Sequence, residues 1–260
     1  MTSTEVPTIG LGTMGLDGSA GIETVRTAIE LGYRHLDTAQ IYDNENVVGN
    51  GIERASVDRD SLFVATKVWA DSLEPAAVRR TAAESAERLG VETIDLLYVH
   101  RPIETYDPEQ TLPAFEALQE AGTIDHIGVS NFTLAELNTA RDILSGDIFA
   151  HQIELHPLFY TPELIEHAAT HDYYVVAYSP LAGGAVFDIP ELTAIAEKHE
   201  TSEAAVSIAW LAGKDNVLVI PKASSEPHLR ANLEAAQLRL DPEDIGAIES
   251  IDRERELYPE

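Results

Sequence analysis

The chain has 260 residues, 44 % of them hydrophobic, with 45 acidic against 17 basic side chains, a formal net charge of −28 and no cysteine. These figures exclude disulfides, thiolate catalysis and cysteine-built metal sites, and they argue against nucleic acid as a partner. No segment approaches the roughly 18 apolar residues of a membrane span, and the first seven residues lack a basic stretch followed by an apolar one, so a cytoplasmic location is expected; the length suits one domain, 1–260, and a monomer is the expected state.

Short β-branched runs alternate with longer amphipathic stretches. A strand is predicted at 8–11 and a helix at 21–31, then strands at 33–37 and 62–67, a helix at 75–89, a strand at 94–100 and a helix at 108–121. A strand at 124–130, a helix at 134–144 and strands at 149–154, 173–178 and 217–220 complete the series. Gly32, Gly90 and Gly122 stand where helices are expected to stop. Eight strands interleaved with helices predict an α/β fold of the (β/α)8 TIM-barrel type, an open doubly wound sheet being the other architecture compatible with this order. Helical stretches at 202–213 and 242–251 exceed the eightfold repeat and are read as two extra helices, one before the last strand and one capping the end.

Only four basic residues are lysines (Lys67, Lys198, Lys214 and Lys222), and the acids are spread over the predicted helices rather than gathered in a tail. Repulsion among such carboxylates is screened by salt, since the Debye length falls to about 3 Å at 1 M.

In a barrel of this type, catalytic groups project from the C-terminal ends of strands. Asp37 ends the second predicted strand, Tyr42 follows five residues later, Lys67 ends the third and His100 ends the fourth. Taken singly, each has a structural role available: a helix cap, a loop aromatic, a rim cation, a rim imidazole. Together, at neighbouring strand tips, they suit carbonyl reduction, in which the oxygen must acquire a proton while the carbon accepts a hydride. A phenol titrating near 10 is a sluggish donor; an ammonium beside it is expected to lower that value. Lys67 supplies the charge, Asp37 holds Lys67 protonated, and His100 aims the carbonyl oxygen at Tyr42.

These residues lie in Gly-Tyr-Arg-His-Leu-Asp-Thr-Ala-Gln-Ile-Tyr (32–42), Thr-Lys-Val-Trp (66–69) and Tyr-Val-His-Arg-Pro (98–102). Gly-Val-Ser-Asn-Phe (128–132), Tyr-Ser-Pro-Leu (178–181) and Ile-Pro-Lys (220–222) follow in order. The series resembles the aldo-keto reductase family, in its short prokaryotic form, from Gly10 to about Asn232. The acid-rich, lysine-poor balance further resembles that of proteins from salt-loving microbes.

The resemblance implies a nicotinamide cofactor extended across the barrel mouth without a glycine-rich Rossmann loop. Ser130, Asn131 and Gln152 would bind its carboxamide, Tyr178 would stack on its ring, Ser179 and Leu181 would touch the pyrophosphate, and Gly12 and Thr13 would lie below. At the adenine end, Lys222 matches the lysine that meets the 2′-phosphate and Asn232 an adenine contact. Ala223 replaces the usual serine or threonine, and His228 stands where an arginine is usual, with Ser224, Ser225 and Arg230 nearby as substitutes. NADPH is therefore favoured, with NADH or dual use open.

Met14, Trp69 and Arg101 are expected to shape the pocket for a small-molecule carbonyl substrate. Met14 and Arg101 occupy positions where relatives usually carry tryptophan. Arg101 is expected to turn outward, toward Glu104 or Asp107, so no acid substrate is inferred. Ending soon after its capping helix, the chain is expected to have an open pocket mouth, and its start leaves little room for the hairpin that plugs the barrel bottom in relatives. Two rival readings are a cofactor-binding sensor without turnover and a metal-dependent barrel hydrolase. The second lacks His-x-His or His-Glu-x-x-His spacing; His151, Glu154 and His156 are the nearest grouping, and no metal is expected.

Overall fold

The structure, a computed structural model, describes residues 6–259. Its eight strands are β1 (Leu11–Gly12), β2 (His35–Asp37), β3 (Phe63–Val68), β4 (Ile94–Val99), β5 (Ile124–Ser130), β6 (Ala150–Glu154), β7 (Tyr174–Tyr178) and β8 (Val217–Val219). They lie in sequence order and every neighbouring pair is parallel. A parallel bridge between Ile9 and Val219, with the Gly10 N–H donating to the Val219 carbonyl at 2.8 Å, brings the last strand against the first. The result is the expected (β/α)8 barrel.

The helices are α1 (Gly18–Leu31), α2 (Glu45–Glu53), α3 (Pro75–Leu89), α4 (Pro108–Glu120), α5 (Leu134–Ile143), α6 (Pro162–His171), α7 (Pro190–Lys198), α8 (Glu203–Ala212), α9 (Glu226–Ala235) and α10 (Pro242–Glu249). Proline opens five of them at the first position, where its missing N–H costs nothing. Gly32 and Gly90 end α1 and α3 in the left-handed conformation, at φ 115° and 68°.

There are two surplus helices, but one is not where the sequence suggested. The 202–213 stretch, now α8, packs on β8 and α9 and fills a place in the ring. The surplus pair is α7 and α10, tied together by Lys198, whose ammonium lies 2.6 Å from Asp241 and 2.7 Å from Asp244. Four helices, α2, α6, α7 and α9, did not stand out in the sequence; each is only nine or ten residues long.

Strand parity positions the site. Side chains alternate across a strand, so every second residue faces the barrel axis. Phe63 and Ala65 of β3, Leu96 and Tyr98 of β4, Ala150 of β6, Val176 of β7 and Leu218 of β8 form the inner core. Gly128 leaves room at this level for the Tyr98 ring, with which a Cβ would collide. Two residues further along, the same parity delivers Lys67, His100, Ser130, Gln152 and Tyr178 to the C-terminal mouth. At the other end, the rings of Phe63, His126, Phe149 and Tyr174 fill the barrel, with His126 and Phe149 stacked 3.9 Å apart.

Candidate active site

The Lys67 side chain has no solvent exposure, and its ammonium is ion-paired with Asp37 Oδ1. It also donates to the Thr38 carbonyl at 2.7 Å. The other Asp37 oxygen accepts the Gln152 amide at 2.7 Å, so this one carboxylate joins β2, β3 and β6. Burial opposes the charge on Lys67, yet Asp37 and Tyr42 together raise its pKa above the usual lysine value.

Tyr42 sits in a tight turn, Gln40–Tyr42, with its ring centroid 5.3 Å from the Lys67 ammonium. Two residues that the sequence did not single out hold this turn. Gln40 donates to Ser85 Oγ at 3.1 Å and accepts from the Trp69 N–H at 3.3 Å; Asn44 accepts from Thr38 Oγ1 and donates to the Thr13 carbonyl at 2.8 Å. The expected lowering of the Tyr42 pKa is reversed. Burial raises it, Lys67 lowers it only in part, and the net direction is upward.

His100 packs edge-on against Tyr42 and Trp69, at 6.0 and 4.9 Å between ring centroids. Burial, reinforced by the charges of Lys67 and Arg101, pushes its pKa down to about 2, so the imidazole is neutral. Its Nδ1 is sealed from water and unpartnered. A buried N–H without an acceptor is costly, which favours the tautomer carrying the proton on Nε2, the nitrogen left for the cavity.

Tyr42 and His100 line a cavity of about 710 Å³, and Gly12, Thr13, Met14, Asp37, Trp69, Arg101, Ser130, Asn131, Gln152, Tyr178, Ser179, Leu181 and Lys222 also border it. Lys67 lies behind this wall. His228 and Asn232 are not part of it: both lie on α9, His228 exposed and Asn232 buried. Arg230, one of the substitutes considered for the adenine end, is tied to Glu226 at 2.9 Å.

A polar network borders the cavity beside His100. The Tyr178 hydroxyl donates to Asn131 Oδ1 at 3.0 Å, and Asn131 Nδ2 donates to the His100 carbonyl and to Ser130 Oγ, each at 3.0 Å. Asn131 and Ser179 hold left-handed backbones, φ 60° and 51°, as do Ala182, Gly183 and Gly184 beyond. Such strain in non-glycine residues costs about 1–3 kcal/mol each and gathers where a backbone must face a ligand. The Thr13 hydroxyl is already committed to the Asp37 carbonyl at 2.9 Å.

Two expectations are corrected. Arg101 does not turn outward to Glu104 or Asp107: it borders the cavity, and its guanidinium donates to the Tyr258 carbonyl at 3.2 Å. Nor is the mouth simply open, since Tyr258 also borders the cavity. The buried Glu154 carboxylate accepts the N–H groups of Leu257 and Tyr258 at 2.7 and 3.1 Å, while His156 lies 2.8 Å away on the same carboxylate. Glu154 and His156 are thus spent on holding the tail. Among the described residues, no three histidine or acidic side chains converge as metal ligands would.

The sequence pattern of the Aldo/keto reductase family matches residues 8–253. Methylglyoxal reductase DkgB of Escherichia coli O157:H7 is 35 % identical over 259 residues, covering 98 % of this chain and 97 % of that protein. Glycerol 2-dehydrogenase (NADP(+)) of Hypocrea jecorina is 34 % identical, over 98 % of this chain and 91 % of its own. The solved structure of MGS-M4, an aldo-keto reductase enzyme from a Medee basin deep-sea metagenome library, superposes with a TM-score of 0.94 at 31 % identity, covering 98 % of this chain and 95 % of that one. With likeness in both sequence and shape extending over nearly the whole barrel, the chain belongs to the aldo/keto reductase family.

Proposed function

We propose that the protein reduces an aldehyde or ketone to the alcohol with a nicotinamide cofactor, and that Tyr42 gives the proton. The observation that carries this reading is the placing of Tyr42 and His100 side by side on one cavity, in front of the sealed Asp37–Lys67 pair. When bound, a reduced nicotinamide supplies hydride to the carbonyl carbon.

His100, neutral and with Nε2–H toward the cavity, donates a hydrogen bond to the carbonyl oxygen and sets it beside the Tyr42 hydroxyl. Tyr42 keeps its proton at neutral pH because burial has raised its pKa. As negative charge grows on the carbonyl oxygen, the O–H proton moves to it, and the phenolate left behind faces the Lys67 ammonium. Asp37 keeps that ammonium charged and fixed. A preorganised cation at the position where charge develops stabilises the transition state more than the ground state.

Ser130, Asn131 and Gln152 are assigned to the carboxamide of the nicotinamide, with Gln152 offering its carbonyl oxygen because its amide is held by Asp37. Tyr178 supports the ring face, and Ser179, Leu181, Gly12 and Thr13 border the path toward Lys222. Lys222 is exposed at the far end of the cavity, four residues before α9 begins, and a helix N-terminus favours an anion. NADPH is preferred over NADH on that ground, and the loss of an arginine at His228 narrows the margin. Of the large apolar side chains exposed at the surface, Met14, Ile41 and Tyr258 border the cavity, whereas Ile103, Phe187 and Ile245 stand apart from it as single side chains on separate elements, and a monomer is the proposed state.

Loss of NADPH absorbance with methylglyoxal, benzaldehyde and short ketones, in molar KCl, tests the reading. Turnover of at least one carbonyl is expected. Tight cofactor binding with no turnover of any would replace the reductase with a sensor.

A further inference from the structure

Ten basic side chains of this strongly acidic chain form ion pairs with carboxylates. Arg101, although it directly follows His100, forms none among the described residues. The carboxylates nearest in sequence do not serve it. Asp107 is occupied at the start of α4, accepting from the Glu109 N–H at 3.1 Å and the Gln110 amide at 2.5 Å. Glu104 is exposed, with a left-handed backbone at φ 56°, and forms no ion pair with Arg101.

The guanidinium has five N–H donors, and the one hydrogen bond described for it goes to a neutral acceptor, the Tyr258 carbonyl. Most of its fork is therefore uncommitted. The cavity it borders is largely apolar, with Met14, Ile41, Trp69 and Leu181 among the residues of its walls. Lys67 is neutralised by Asp37 behind the wall, and Lys222 lies toward the other end. At the end where the carbonyl is reduced, Arg101 is the uncompensated charge. That charge is felt at the reacting end, for it adds to burial and to Lys67 in holding His100 neutral.

We propose that Arg101 is an anion-recognition residue and that the preferred substrates are small aldehydes or ketones carrying a carboxylate. The inference rests on the carbonyl-reductase reading and adds to it a selectivity that the four-residue cluster does not provide. A planar fork pairs with a carboxylate through two parallel, charge-assisted hydrogen bonds, which a lysine cannot reproduce. With its carboxylate held there, the substrate presents its carbonyl oxygen to the adjacent His100.

The test compares matched substrates, 4-carboxybenzaldehyde against benzaldehyde, in the wild-type protein and in Arg101→Met, Arg101→Lys and Arg101→Glu, at one fixed KCl concentration. The ratio of kcat/KM for the acid to that for the neutral aldehyde is expected to fall about tenfold or more in Arg101→Met, chiefly through KM. Arg101→Lys should fall between the two, and Arg101→Glu should fall furthest. Benzoate binding, followed by tryptophan fluorescence without turnover, should weaken in the same order. An unchanged ratio across the variants, with benzaldehyde still reduced, overturns the anion site and leaves the reductase reading intact. Benzoate binding that depends on Arg101 in a protein that reduces neither aldehyde would do the opposite.

Discussion

The Gln152 amide donates to Asp37 Oδ2 across 2.7 Å, so the carboxylate that neutralises Lys67 also fixes a side chain assigned to the cofactor. Asp37 has no oxygen left over. Replacing it with asparagine leaves the Lys67 ammonium buried without a counterion, a change that costs about 3–5 kcal/mol in comparable buried pairs. Urea unfolding of Asp37→Asn should show a loss of that order; a loss below about 1 kcal/mol would mean that the pair carries little of the fold.

Removing the Tyr42 hydroxyl should separate chemistry from binding. Tyr42→Phe keeps the ring against His100 and takes away the proton. Reduction is expected to fall by about 10²-fold or more, the usual worth of a positioned acid, while cofactor binding by fluorescence titration stays within about threefold. Full activity in this variant would assign the proton elsewhere.

Lys222 offers a discrimination between cofactors. Its ammonium can pair with a 2′-phosphate but finds no such group on NADH. Lys222→Ala should therefore weaken NADPH about tenfold while changing NADH little, as measured by paired titrations. Equal weakening of both would place Lys222 away from the phosphate.

Three buried histidines give stability a defined pH dependence. Burial lowers the pKa of His35 to about 4, of His151 to about 3 and of His100 to about 2. Between these values and about 6.5 the unfolded chain binds protons that the folded chain refuses, so unfolding free energy rises with pH in that window. Stability should be fully present above about pH 6.5 and be lost on acidification, by up to roughly 2 kcal/mol per histidine between pH 7 and pH 5. Urea midpoints in 2 M KCl, where carboxylate repulsion is screened, provide the measurement. A midpoint that does not move, or that rises toward pH 5, would refute this account.

Salt should act in the direction that the net charge of −28 dictates. We propose that the surface is suited to high ionic strength, and that the melting temperature rises on the order of 10 °C between 0.1 and 2 M KCl. An unchanged melting temperature would make the acid excess incidental.

The strand tips were legible in the sequence because a strand's period is two and neighbouring strands in the chain are neighbours in the barrel. Asp37, Lys67 and His100 could be brought together by counting alone. Contacts set by distant parts of the chain were not legible. The orientation of Arg101 depends on Tyr258, 157 residues away, and the tail is held by Glu154, more than 100 residues earlier in the chain. The upward direction of the Tyr42 pKa was not legible for a related reason: the neighbouring lysine is visible in the sequence, whereas the burial that outweighs it exists only in the folded barrel. α7 and α10 are joined by Lys198, and their place outside the ring follows from a pairing that periodicity does not report.

The inward parity of the strands gives the barrel and its chemistry a common reading frame. Inserting one residue between Phe63 and Lys67 would turn the ammonium toward the helices and hydrophobic side chains toward the cavity, so the reaction and the core would fail together. Met14, Trp69 and Arg101 stand beyond the strand ends and escape that frame. Loop exchange can therefore alter what the cavity accepts while Lys67, sealed from every substrate, continues to serve the same proton transfer.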